Sequence, residues 1–300
     1  MMVSAQIDAH LPALTPAERR VAAVVADDPE AVAFGTVADV ARRAGASGAT
    51  VVRLAAKLGF DGFVELQAAV RQEMARRLRP ASERIRRPVP GDILDSTLAV
   101  EMANVAATLE GVDRAAFDRA VRLLTGPARF GPGEEGAAVR SGRGRRAGGG
   151  RVLVLAGDAS SAVASLFAGE LSMLRPGVVL AGGSEVRVAR LLADVGPSDV
   201  VVAVDLARYD RAVVDAAGRA AAAGVALVAL TDSALSPLAT VAAASFTATV
   251  DGAGPFDSHV GLLALANALL AGVAARLRRS ATDRLDRVEA AWRSAAVLTD

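Results

Sequence analysis

The chain has no cysteine, only two histidines, and a single lysine, tyrosine and tryptophan among 300 residues. Without cysteine it has no disulfides, thiolate metal sites or cysteine nucleophiles. His10 and His259 lie far apart in sequence, so neither a histidine zinc site nor any cofactor is expected. Aromatics make up 3% against 52% apolar residues, so the cores must be built from Ala, Val and Leu. A net charge of +1 selects no partner by whole-chain electrostatics. Lys57 is the only lysine, which leaves the rest of the 34 basic residues as arginine, a bias that fits a GC-rich coding sequence. Long uncharged apolar runs are also missing. The closest, "VGLLALANALLAGVAARL", contains Asn267 and Gly272 and suits a buried or pairing helix better than a membrane span. The opening "MMVSAQIDAHLPALTPAERR" has no basic segment followed by an apolar run, so no signal peptide is expected. A soluble, cytoplasmic protein is the expectation, with no membrane partner.

What is present divides into two patterns, matching the about 100–200 residues of a typical domain. Residues 15–87 read as helical. "TPAERRVAAVVADDP" places Thr15 as N-cap, Pro16 at the first helical position and Glu18 at the third, a capping box. Val21, Val24 and Val25 give its apolar stripe, and Pro29 follows its end. A second helix runs from Thr36 to Gly45, with Val37, Val40 and Ala41 inward. A third, "GATVVRLAAKLGF", is capped by Ser47 and ended by Gly59, and "GFVELQAAVRQEMARRL" forms a fourth. Residues 71–87 hold seven arginines against Glu73 and Glu83. "PASERIRRPVPGD" reads as a linker, and helices are predicted over 93–110 and 114–125. Residues 126–150, rich in Gly and Arg with almost no large apolar side chain, read as a flexible loop.

The second and third helices, with the turn Gly45-Ala46-Ser47 between them, have the layout of a helix-turn-helix. That geometry sets the start of the third helix at base edges in a major groove. Thr36, Ser47, Ala49, Thr50, Arg53 and Lys57 are the candidate DNA-binding residues. Small residues at 48–50 permit close approach, Thr50 and Arg53 suit base or phosphate contacts, and Lys57 suits a phosphate. An ordinary helical hairpin with a solvated basic face fits the same pattern.

From Arg151 the chain alternates strand and helix. "RVLVLAG", "DVVVAVD" and "VALVALTD" are continuous apolar runs, the mark of strands buried on both faces of a parallel sheet. Each precedes a helical stretch: "SSAVASLFAGELSML", "RYDRAVVDAAGRAAAAG" and "SPLATVAAA". Weaker strands at 178–181 and 245–250 bring the count to five, and helices over 258–279 and 282–297 close a doubly wound domain.

The segment "LTPAERRVAAVVADDPEAVAFGTVADVARRAGASGATVVRLAAKLGFDGFVELQAAV" resembles the N-terminal domain of RpiR-type transcriptional regulators. It shares their "L-[ST]-x-[AS]-E-[RK]-x-V-A", "[AS]-x-x-T-V-V-R" and "K-L-G-F-x-G-F-x-E-L" patterns. The resemblance implies an all-α helix-turn-helix domain followed by a five-stranded α/β sugar isomerase (SIS) domain. It divides the chain into 1–87 for DNA binding, 88–125 as helical connector, 126–150 as loop, and 151–300 for effector binding and oligomerisation. The implied partners are double-stranded operator DNA, a phosphosugar or other small anion as effector, and a second copy or copies in a homodimer or homotetramer.

Three stretches carry the effector side of the resemblance. "GDASSAV" is similar to the family's G-x-G-x-S, with Ala159 in place of the second glycine. Ser160 and Ser161 can hold an anion with the helix amides, or Ser160 merely caps the helix. "DLARYD" stands where the family's serine-rich phosphate cradle, S-x-S-G-x-[ST], is expected, with Asp205 and Ala207 at the serines, Arg208 at the glycine and Asp210 at the last hydroxyl. Here Arg208 can grip an anion and Tyr209 can stack on or bond a ligand. Alternatively, Asp205 and Arg208 pair with each other. "VALVALTDSALSPLATVAAASF" is close to the family, placing Thr231 and Ser233 on the ligand side of the sheet. The effector candidates are therefore Ser160, Ser161, Asp205, Arg208, Tyr209, Thr231 and Ser233. Isomerisation needs a base, but Glu170 and Glu185 sit at no clear strand end, so no catalytic residue is expected.

Overall fold

The structure, a computed structural model, describes residues 3–77, 81–86, 91–126, 150–234 and 236–297. The Gly/Arg-rich segment 127–149 lies outside the described residues, as does part of the 71–92 stretch.

The N-terminal unit is wholly helical: α1 (Val3–His10), α2 (Pro16–Asp27), α3 (Pro29–Phe34), α4 (Val37–Arg43), α5 (Gly48–Lys57) and α6 (Phe63–Arg77). The Thr15/Glu18 capping box starts α2, and a second box, Thr36 with Asp39, starts α4. Pro29 opens a helix rather than only following one. Asp28 caps it by accepting the Ala31 N–H at 3.1 Å, with proline at the position where no N–H is needed. The core joins Ile7, Val21, Val32, Val40, Val51, Leu54, Leu58 and Leu66. This is the aliphatic core that scarce aromatics require.

A short helix α7 (Ala81–Arg84) sits in the expected linker, followed by α8 (Ile93–Glu110) and α9 (Arg114–Thr125) at the predicted positions. The second unit then alternates: β1 (Val152–Ala156), α10 (Ser161–Leu174), β2 (Val178–Leu180), α11 (Glu185–Ala193), β3 (Val200–Val204), α12 (Arg211–Ala222), β4 (Ala226–Thr231), α13 (Pro237–Thr240), β5 (Ala244–Thr247) and α14 (Val260–Ala295). All five strands are parallel in the order β2-β1-β3-β4-β5. α9, α10 and α14 cover one face, with Val154, Val202 and Val228 beneath them. α12 and α13 cover the other, over Leu155, Val201 and Leu227. The connector helix α9 thus belongs to this core, through Ala120, Val121 and Leu124.

Two expected C-terminal helices are one. The step 280–283 holds no glycine or proline, and its hydroxyls turn back into the helix. Ser280 donates to the Leu277 carbonyl at 3.0 Å and Thr282 to that of Arg278 at 2.9 Å, so nothing breaks the ladder. Among the described residues α14 is one helix long and apolar enough to cross a membrane, yet Leu262, Leu265, Leu269 and Val273 build the sheet's core. The helix expected over "SPLATVAAA" is a single turn.

Buried polar contacts tie the connector to the segment beyond the C-terminal end of β5. Asn104 and Thr108, both about fully buried, bond the Asp251 carbonyl at 2.7 Å and the Thr249 N–H at 2.9 Å. Ser258 donates to Glu101 at 2.5 Å. At the other end of the domain, the buried Arg175 guanidinium donates to the carbonyls of Leu124, Gly150 and Pro176.

Candidate DNA-binding and ligand sites

The α4–α5 turn is closed by glycine chemistry. Gly45 takes φ +56°, the Ala46 N–H bonds the Ala41 carbonyl at 2.9 Å, and the Gly45 N–H that of Arg42 at 3.3 Å. This paired closure, with glycine at the left-handed position, ends a helix without a side-chain clash. Arg20 of α2 then donates to the freed carbonyls of Ala44 and Gly45 at 3.0 and 3.1 Å, fixing the turn to the core. Gly48 packs closely on α4: a Cβ there would lie 3.2 Å from Val37 Cγ1.

Val51, Leu54 and Ala55 of α5 face inward, while Ala49, Val52, Arg53 and Ala56 are exposed. Positions 49, 52, 53 and 56 fall on one helical face, an outward stripe of small and apolar side chains around one cation. Val52 and Ala56 were not among the sequence candidates, although the helical period marks them once the inward positions are known. The other candidates divide. Ser47 caps α5, with its Oγ accepting the Thr50 N–H at 3.3 Å. Thr36 caps α4 and donates to Asp39 at 2.7 Å. Thr50 is buried, its hydroxyl 2.9 Å from Ser47 Oγ and accepting from Arg53 at 3.1 Å. Lys57 reaches across to α2 and pairs with Glu18 at 2.8 Å. The Lys57 hydrogen bond, with those of Thr15, holds the Glu18 carboxyl at about 2, against the cost of its burial. Arg53 is thus the cation on the outward stripe, while Lys57, though still partly open to solvent, is engaged by the buried Glu18.

In the sheet, the chain reverses its direction of growth between β1 and β3. In open α/β sheets the ligand crevice opens at such a switch point, beyond the strands' C-terminal ends. Two loops border it, Gly157–Ser160 after β1 and Asp205–Asp210 after β3. Between them lies the Asp205 carboxylate, buried, accepting the N–H of Leu206 at 3.0 Å and of Asp210 at 2.6 Å. A Cβ on Gly157 would lie 2.2 Å from Asp205 Oδ1, so glycine is required there by the carboxylate itself. Burial pushes the Asp205 carboxyl up, helped by the charges of Asp210 and Asp232, while the two N–H bonds pull it back.

Arg208 is exposed at φ +72°, a left-handed conformation that costs a non-glycine residue about 1 kcal/mol. It stands where the resemblance places a glycine. Among the described residues no ion pair joins it to Asp205; the carboxylate is held by backbone instead. Tyr209 donates to Asp232 Oδ1 at 2.7 Å, joining the loops after β3 and β4. Thr231 and Ser233 are buried beside it. Ser161 is exposed at the first turn of α10, whereas Ser160 is fully buried. Ser160 makes no side-chain cap to α10, and among the described residues its Oγ has no partner. The loops thus bring Ser160, Asp205, Tyr209, Thr231, Asp232 and Ser233 to one end of the sheet. Asp232 and Gly157 are the members that the sequence candidates omitted.

Residues 1–77 match the helix-turn-helix domain of the rpiR family, and residues 147–272 match the SIS domain. The sugar isomerase domain of an RpiR transcription factor from Sphaerobacter thermophilus is 30% identical, with a TM-score of 0.54 over 65% of this chain and 97% of that one. The chain belongs to the RpiR family. A second solved structure, Vibrio vulnificus NanR complexed with ManNAc-6P, shares the fold end to end at 20% identity, with a TM-score of 0.57 over 99% of this chain and all of that one. No curated protein sequence matches the chain. The expected all-α helix-turn-helix domain and five-stranded parallel SIS domain are therefore both present in this RpiR-family regulator.

Proposed function

We propose that this RpiR-family chain binds operator DNA through α5 and adjusts that binding to a small sugar-like effector held at the β1/β3 crevice. The observation that carries the DNA half is the outward stripe Ala49-Val52-Arg53-Ala56 on a helix whose entry turn is locked to the core. Arg53 supplies a guanine or phosphate contact, and the small apolar positions bring the backbone close and suit thymine methyls. The 1–87 and 151–300 divisions act as reader and sensor, with α8 and α9 as the physical connection.

The effector half rests on the switch-point crevice and on the unpartnered Ser160 hydroxyl at its edge. NanR, of the same architecture, is complexed with ManNAc-6P, a phosphosugar, which supports a sugar or sugar phosphate as the effector class. In a homodimer or homotetramer, an effector that favours one arrangement of subunits would reset the spacing of two α5 helices against half-sites about 34–36 Å apart. The polar contacts of Glu101, Asn104 and Thr108 with residues 249–258 give the segment beyond β5 a direct hold on the connector. Such a protein works beside the chromosome, in the cytoplasm.

No catalysis is assigned. Glu170 and Glu185 are exposed on helices, and Asp205 is clamped by two N–H donors, so none of these three is placed as a base toward a bound sugar. A mobility shift with the DNA upstream of its own gene, run with and without a panel of sugars and sugar phosphates, tests the proposal. Specific retardation that a sugar alters is expected; no retardation at any concentration would refute it. Purified protein is expected to leave aldose and ketose phosphates unconverted.

A further inference from the structure

The corner after β3 already holds anions, and they are the protein's own. Asp205 takes the N–H groups of Leu206 and Asp210, the donors that a bound phosphate would use at this loop. Asp210 in turn caps α12, accepting the Ala212 N–H at 2.8 Å, so one amide of that helix's first turn is also taken. The Asp205 carboxylate lies against Gly157, inside the switch-point crevice. Asp232 adds a third carboxylate from the β4 loop. The cations of the loop do not offset this. Arg208 is exposed, and Arg211 is exposed and leans toward Asp215 at 3.8 Å. An incoming phosphate dianion would meet three carboxylates and find the amides of Leu206, Asp210 and Ala212 already engaged, a combination that disfavours it.

A different chemistry is left open. Ser160 Oγ is buried beside the Asp205 loop with no partner, and Asp232 presents an acceptor already organised by Tyr209. Resting on the proposed effector-binding role, we infer that Asp205 and Asp210 close this corner to phosphate, and that the effector contacts it through hydroxyl or ammonium donors. The effector is then a polyol or amino sugar that places no phosphate in the corner.

Titration of the full-length protein with inorganic phosphate, a free hexose, its 2-amino analogue and its 6-phosphate tests this directly. Wild type is expected to ignore inorganic phosphate and to bind the 6-phosphate no more tightly than the free sugar. The Asp205→Ser, Asp210→Thr double variant is expected to gain at least tenfold in phosphate affinity. Asp205→Asn, which keeps the side chain's shape, is expected to gain several-fold and serves if the double variant does not fold. Tighter binding of the 6-phosphate than the free hexose by wild type, weakened by Arg208→Ala, would overturn the inference. So would variants that fold but gain no phosphate binding. If no sugar binds wild type but the variants gain phosphate, the effector role fails while the self-filled corner stands.

Discussion

Lys57 Nζ lies 2.8 Å from Oε2 of Glu18, a carboxylate that is 3% exposed at the start of α2. The pair fastens α5 to α2, and it joins residues whose expected roles are separate, a helix cap and a DNA contact.

The Glu18 carboxyl sits at about 2, below its ordinary 4.5, because Lys57 and Thr15 bond its charged form. Its contribution is therefore complete above about pH 4.5 and is lost as the pH falls from there toward 2. Glu18→Gln should cost about 1–2 kcal/mol at neutral pH and flatten the acid limb of the stability curve. Denaturant melts of the two proteins at pH 7 and pH 3 should show a difference that shrinks at the lower pH.

Gly157 and Asp205 are coupled through space. Gly157→Ala drives a methyl into the Asp205 carboxylate, and a loss of about 2 kcal/mol or more is expected. Removing the carboxylate with Asp205→Ala should recover much of the cost of the added methyl. A double-mutant cycle by thermal melting checks this, and additive losses would mean that the two residues do not touch in solution.

Asn104→Leu should loosen the connector. It leaves the Asp251 carbonyl without its buried donor, which costs about 1–3 kcal/mol. Hydrogen exchange is the fitting probe, with faster exchange expected in residues 249–258 and little change in the strands.

The sheet and most helices were legible because their signals are local: unbroken Val/Leu/Ala runs for β1, β3 and β4, and capping boxes for α2 and α4. Helices α1, α3 and α11 carry no such mark. Pro29 looks like a terminator until Asp28 is seen to cap α3, and α11 has no buried residue to give it away. The join at 280–283 was invisible because Ser and Thr serve turns and helix interiors alike, and only the bonds to Leu277 and Arg278 decide between them. The site was legible as positions but not as partners. The sequence offered Arg208 as a mate for Asp205, whereas the fold gives that carboxylate the N–H groups of Leu206 and Asp210. Likewise, the spacing of Thr50, Arg53 and Lys57 suggests one face, whereas the fold buries Thr50 and pairs Lys57 with Glu18 of α2.

Arg53 carries the reading of α5 as the DNA-contacting helix. Fluorescence anisotropy of a labelled fragment from upstream of the gene should give specific binding by wild type over a scrambled fragment. Arg53→Ala should lose about tenfold or more, the about 1–3 kcal/mol of a base contact. Lys57→Ala, measured below its melting temperature, should lose much less. Equal binding to the scrambled fragment, or an Arg53→Ala protein as tight as wild type, would contradict the assignment of α5 as the reading helix.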